Sequence, residues 1–320
     1  MKVITCFSYK GGAARTTAAA NIAAALASVR GGVGSIQSPL GRKVALIDLD
    51  VFSAGTHRVF EIDEKRDFKD FSPFIQDYLR EQMSPATYVD RGGIQLTDPL
   101  MRQFRLARGG ADNCHPEFTL FPAKPDPRSR FVVQKQHENV LIELLVELES
   151  RGRDFDYVVL DGESGTRQMA DIALRLADIV LVFFRLTWQH IDGTLNTAED
   201  FQKNPRMKPY YLVPTCVPLV GEEDKVYRED AVGLLELRDL TGRIPEASDL
   251  NRFAEEHPEN AGLFWAGVAG AGERLCIHES LCLKGEERII VFDEAAHNDR
   301  AAKDFYRIAE ELNDRHGPSD

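Results

Sequence analysis

The sequence predicts an α/β protein with a doubly wound, mostly parallel sheet. Short, continuously apolar runs recur along the chain, as strands covered on both faces require. Stretches with apolar residues at helical spacing separate them, and that alternation gives parallel strands joined by right-handed crossovers. Several of the runs end in glycines or carboxylates, at the carboxyl ends where open α/β sheets bind their ligands.

The first run, residues 2–7, is rich in β-branched residues and reads as a buried strand. It leads through Ser8-Tyr9-Lys10-Gly11-Gly12-Ala13-Ala14-Arg15-Thr16-Thr17 into an alanine-rich helix over 16–29, with Ile22, Leu26 and Val29 at helical spacing. In a strand, glycine turn and helix, backbone N–H groups converge on an anion and the helix N-terminus adds partial positive charge. The candidate phosphate-binding residues are therefore Gly11, Gly12, Ala13, Ala14, Arg15, Thr16 and Thr17, with the Thr16 hydroxyl placed to ligate Mg²⁺. A ligand-free glycine turn is the competing reading of this loop taken alone.

Residues 30–42, with Gly31, Gly32, Gly34, Pro39 and Gly41, are a loop by composition. Residues 43–50 form an apolar run closed by Asp48 and Asp50. Over about 60–126 the pattern is least regular: a helix over 68–82, turns at 90–93 and 108–110, and a strand over 117–122. This reads as an elaborated surface on a single domain spanning 1–320. Next come a helix over 136–148, a strand over 155–161 ending in Asp161, a loop over 162–166 and a helix over 168–176. A strand over 177–184, a helix after His190-Ile191-Asp192-Gly193, strands over 209–215 and 289–292, and a helix over 300–312 complete the pattern.

Hydrophobic residues make up 43% of the 320 and charged residues 28%, a soluble globular balance. No apolar run approaches the ~20 residues that span a bilayer. The chain opens on a strand rather than a signal peptide, so a cytoplasmic location and no membrane partner are expected. The closing helix carries Asp304, Glu310 and Glu311 and lacks the basic face of a membrane anchor. A net charge of −12 does not steer the chain toward nucleic acid, although local basic clusters (Arg102, Arg105, Arg108; Arg128, Arg130, Lys135) leave that partner open. Five scattered cysteines form no disulfide framework. Cys276, His278 and Cys282 offer three metal donors, but a structural zinc site wants four in paired spacing, and Cys114-His115 is distant in sequence.

The common phosphate loop, G-x-x-x-x-G-K-[ST], is broken here by Tyr9, Ala14 and Arg15, leaving Lys10-Gly11-Gly12 and Thr16. That remnant resembles the deviant loop of the ParA/MinD-type P-loop ATPases, usually KGGxGK[ST], and more closely a branch with KGG-x-x-R. The resemblance spans roughly residues 1–56, 154–218 and 275–312, and is strongest at Lys10-Gly11-Gly12, Asp48-x-Asp50 and Asp161. It implies a P-loop NTPase fold, ATP and Mg²⁺ as ligands, and an ATP-dependent homodimer across which Lys10 reaches the other subunit's nucleotide. By the same resemblance Asp50 orients the attacking water, while Thr16, Asp161 and, in support, Asp48 hold the metal. Residues 162–166 would respond to the γ-phosphate, and Pro214 and Thr215 would lie near the base. The KGG-x-x-R branch implies an unidentified protein partner in a multi-gene system.

Arg15 and Ala14 depart from the family pattern. Arginine is a wide planar fork where lysine is a compact charge, and Ala14 adds a methyl where backbone passes close to phosphate. The expectation is ATP binding with slow hydrolysis, in which Arg15 and Lys10 neutralise developing charge. The alternatives are a catalytically lost fold acting as a scaffold, and a DNA-partition ATPase.

Overall fold

The computed structural model describes residues 1–27, 42–60, 62, 73–80, 83–96, 117–124, 131–150, 154–165, 167–185, 188–203, 208–217, 275–280, 282–283, 288–289, 291 and 299–317. Among them eight strands form one sheet: β1 (Lys2–Phe7), β2 (Lys43–Asp48), β3 (Ile94–Gln95), β4 (Glu117–Phe121), β5 (Tyr157–Asp161), β6 (Ile179–Arg185), β7 (Tyr210–Val217) and β8 (Ile277–His278). Their order is β3-β4-β2-β5-β1-β6-β7-β8, parallel throughout except for the β3–β4 pair. The helices are α1 (Arg15–Ala27), α2 (Thr56–Val59), α3 (Ile75–Leu79), α4 (Pro85–Gly92), α5 (His137–Glu149), α6 (Gln168–Leu176), α7 (Trp188–Lys203) and α8 (Arg300–His316). The fold is the doubly wound, mostly parallel sheet of P-loop NTPases.

Both faces of the sheet are covered. On one, Ile4, Cys6, Leu46, Val159 and Leu181 pack under α1 and α8; on the other, Val3, Ala45, Ile47 and Leu160 pack under α3 to α6. Continuous apolar runs follow directly, since each strand hides alternate residues in opposite cores. Apart from Thr16, all of α1 is buried. Its alanines let it lie close against both sheet and α8, while Ile22 and Leu26 each add ~1.5–3 kcal/mol by burial.

Register levels the functional ends of the central strands, because Asp161 pairs with Cys6 on one side and with Asp48 on the other. The loops that follow β1, β2 and β5 therefore leave the sheet at one height.

Three expectations need correction. The turn expected at 90–93 is the end of α4. Ser84 caps that helix through the Thr87 N–H, and Pro85 takes its first position. Gly92 serves close packing, since a Cβ there would lie 2.6 Å from the Tyr88 ring. The helix expected over 68–82 begins at Ile75 among the described residues, because Pro73 cannot continue a helix through its own position; residues 68–72 and 81–82 lie outside them. The last strand expected at 289–292 is replaced by β8. The Val291 N–H is bonded to Asn21 Oδ1 and its carbonyl to the Tyr306 hydroxyl, so side chains satisfy this backbone instead of a neighbouring strand. Residues 28–41, 108–110 and 166 and most of the basic clusters also lie outside the described set. Among the described residues, no helix is long and apolar enough to cross a membrane.

Candidate functional site

Between β1 and α1 the chain folds back over the helix N-terminus. Gly12 has φ +81 with open space around it, so glycine is wanted there for its left-handed backbone. Ala14 takes the same handedness at φ 54, a strain of ~1–2 kcal/mol for a residue with a Cβ. Its carbonyl starts the helix by accepting the Ala18 N–H at 2.9 Å. The base of the loop is tied to both neighbouring segments: Ser8 O accepts the Gly165 N–H at 3.0 Å, Cys6 O accepts the Gly162 N–H at 3.2 Å, and Ala13 O accepts the Thr215 hydroxyl at 3.0 Å. Gly11, Gly12 and Ala14 are exposed at its crest. An exposed crest over a helix N-terminus can bind an anion.

Directly behind the crest lies a buried charge cluster. Arg15, 7% exposed, donates from Nε to Asp161 Oδ1 at 2.7 Å and from Nη2 to Asp50 Oδ2 at 3.2 Å. Nη1 faces Ser8 Oγ at 3.4 Å, and Nη2 also lies 3.5 Å from Thr16 Oγ1. Burial alone would discourage the cation, but the two carboxylates more than reverse that and hold Arg15 charged. Asp161 is fully buried, and burial raises its pKa while Arg15 opposes the rise. Its second oxygen, Oδ2, is buried without a hydrogen bond, and the carboxylate as a whole interacts with the Thr16 hydroxyl. An orphaned carboxylate oxygen beside a threonine hydroxyl suits a hydrated divalent cation, so Thr16 and Asp161 fit the Mg²⁺ that the sequence implied.

Asp48 has a different surrounding. Its Oδ1 accepts the Asp50 N–H at 3.0 Å, and its Oδ2 accepts the N–H groups of Gly55 and Thr56 and the Thr56 hydroxyl at 2.7 Å. Both oxygens are committed to shaping the turn that presents Asp50, which makes Asp48 a structural brace here. Burial and then the Asp161 charge push it up to about 7, against the Thr56 hydroxyl bond. Asp50 Oδ1 is held by the Ser53 N–H at 2.8 Å.

The Lys10 ammonium donates to Gln189 Oε1 on α7 at 3.1 Å, within its own chain. Beside it Tyr9 lies against Gly193, where a Cβ would sit 1.9 Å from the ring. Glycine is wanted at 193 for this close aromatic approach. Pro214 is half-buried opposite Phe184. Thr215 is buried, with its hydroxyl also 3.2 Å from Phe184 O, so its side chain anchors the phosphate loop. Sequence reasoning gave no role of their own to Ser8, Thr56 and Gln189, whose contacts with Arg15, Asp48 and Lys10 belong to no motif. Glu163 is buried and paired with Arg167; burial raises its pKa, and its Oε2 has no hydrogen bond.

The family model for an AAA domain, AAA_31, matches residues 1–209. Solved structures of the same fold include the cell division protein MinD of Aquifex aeolicus, 19% identical over 100% of both chains with a TM-score of 0.59. A putative plasmid partition protein of Borrelia burgdorferi bound to AMPPNP is 17% identical over 98% of both chains, with a TM-score of 0.58. The septum site-determining protein MinD of Pyrococcus horikoshii, complexed with Mg-ADP, is 16% identical over 98% of this chain and 96% of that one, with a TM-score of 0.56. No curated protein matches the chain.

Proposed function

The chain belongs to the AAA domain family AAA_31, with the fold of ParA/MinD-type P-loop ATPases, and from that premise we propose that it is an ATP-dependent dimer switch with slow hydrolysis. The observation that carries this reading is the exposed crest of Gly11, Gly12 and Ala14 immediately in front of the Arg15, Asp50 and Asp161 cluster. Relatives of the same fold hold AMPPNP and Mg-ADP, which supports a nucleotide and a divalent ion here.

In this reading the loop amides and the α1 N-terminus bind the polyphosphate. Thr16 and Asp161 Oδ2 would hold the Mg²⁺, which when bound spreads the phosphate charge. Arg15 turns from Asp50 toward the phosphates as they arrive, and Asp50 is then free to orient the attacking water. Breaking the largely desolvated ion pair with Asp50 to reach that state is a reason for slow turnover. Lys10 would exchange Gln189 for the nucleotide of a second copy, so dimerisation and ATP binding become one event.

Calorimetry with ATP and Mg²⁺, followed by a phosphate-release assay, tests the reading. Binding with release well below one per second is expected; no binding heat at millimolar ATP would sink it. Lys10→Ala should abolish ATP-dependent dimers by light scattering while leaving the melting curve unchanged. The second reading, a scaffold without catalysis, is favoured by the same Arg15 ion pairs. ATP binding with no phosphate release above background, in wild type and in Arg15→Lys alike, would select it.

A further inference from the structure

At the far edge of the sheet a second cluster stands apart from the nucleotide loop. We propose that Cys276, His278 and Asp304 form a transition-metal site of the zinc class. The site does not depend on the nucleotide reading, since none of its residues belongs to the loop or its carboxylates.

The backbone brings the donors together. Ile277 of β8 points into the core at 5% exposure, so Cys276 and His278 on either side of it share the opposite face. Asp304 comes from α8 and is 3% exposed. That helix is fixed at its start: Asp299 caps it through the Ala301 N–H at 2.8 Å, and the Ser280 hydroxyl, just past β8, donates to Asp299 at 2.6 Å. Strand and helix are thus positioned before any ion arrives.

The distances suit coordination. Cys276 Sγ lies 3.8 Å from His278 Nδ1 and 4.0 Å from Nε2, and Nδ1 lies 2.7 Å from Asp304 Oδ2. One ligand atom from each residue falls within 4.8 Å of the others. Tetrahedral zinc bonds of ~2.3 Å to sulfur and ~2.0 Å to nitrogen and oxygen require donor separations of ~3.3–3.5 Å. The sulfur–nitrogen edge is already close to that. The nitrogen–oxygen edge is short because the two atoms share a hydrogen bond, and it opens when an ion replaces that proton. The His278 N–H also holds Asp304 Oδ2 at 2.9 Å, and Arg300 Nε sits 3.6 Å from Oδ1, which orients the carboxylate.

The chemistry selects the ion. A thiolate and an imidazole favour zinc, copper or cobalt over magnesium or calcium. Binding releases the thiol proton and an imidazole proton to solvent, leaving one thiolate and one carboxylate to balance a divalent charge. Three protein ligands leave a fourth position for water. The third donor, Asp304, is 26 residues beyond His278, so no sequence spacing rule for zinc could have found it.

The test uses the full chain stripped with chelator and titrated with cobalt(II), then with zinc in competition. One cobalt per chain with a thiolate-to-metal charge-transfer band is expected, displaced by zinc, and zinc should raise the melting temperature. Cys276→Ser, at a half-exposed side chain, should keep the native circular dichroism, lose the band and weaken cobalt binding at least about tenfold. Asp304→Asn should also weaken it, and Cys282→Ser should not. Absence of stoichiometric binding in the wild type, or a thiolate band that survives Cys276→Ser, overturns the proposal.

Discussion

At the centre of the sheet Arg15 is sealed between Asp161 and Asp50, while at its edge His278 meets Asp304 beside a half-exposed Cys276. Both are cations set against carboxylates and both are largely buried: the Arg15 and Asp50 side chains are 7% and 11% exposed, those of His278 and Asp304 18% and 4%. Arginine keeps its charge and so holds its carboxylates permanently, whereas an imidazole can give up its proton and release its carboxylate to another cation. The central cluster is therefore held by a permanent cation, and the edge cluster by one that can be exchanged.

The largest effect should come from Arg15→Ala, which strands two buried carboxylates. A loss of ~3–5 kcal/mol in urea unfolding at neutral pH is expected. A loss no larger than for His278→Ala would erase the contrast between centre and edge. Next, Gly193→Ala drives a methyl into the Tyr9 ring and should cost ~1–3 kcal/mol. The double change with Tyr9→Ala should recover most of it, showing that the loop shoulder is held by packing and not by charge.

A third measurement separates the two clusters by pH. Asp48 rises from 3.8 to about 7 on folding, so its stabilisation is complete below 3.8 and is lost as pH climbs toward 7, because the unfolded chain ionises first. His278 faces Asp304 and Cys276, with Arg300 on the carboxylate's other oxygen. Burial, the largest single influence, lowers its pKa, but the interactions with Asp304 and Cys276 together outweigh it and lift it from 6.5 to about 9. In metal-free protein its stabilisation is full below 6.5 and disappears as pH rises through 9. Urea midpoints against pH should flatten in the lower window for Asp48→Asn and in the upper one for His278→Gln. Flattening in the same window for both would merge the two regions.

The strands that carry the site were legible because a parallel sheet buried on both faces leaves unbroken apolar runs, and their carboxyl ends are marked by Gly11, Asp48 and Asp161. The sequence misplaced the structure where one residue type has two uses. Asp90-Arg91-Gly92-Gly93 has turn composition, yet Gly92 is there to admit Tyr88. Ile289 and Val291 are buried as a strand would be, but Asn21 and Tyr306 supply their segment's hydrogen bonds. Arg15 was visible as a departure from lysine. Its partners were not, because they depend on where the turns after β2 and β5 converge. Asp304 was read only as part of a helix that does not anchor in membrane; its tie to His278 is a product of tertiary packing.

The hydroxyl of Thr215 gives the phosphate loop a second abutment. Hung from β1 alone, the segment would be a cantilever; clasped at Ala13 by β7 as well, it is a bridge whose shape was settled during folding. In the proposed nucleotide-binding role an arriving anion would spend little of its binding energy on ordering the chain, and a Thr215→Val bridge, with one pier gone, would have to find its arch again at each encounter.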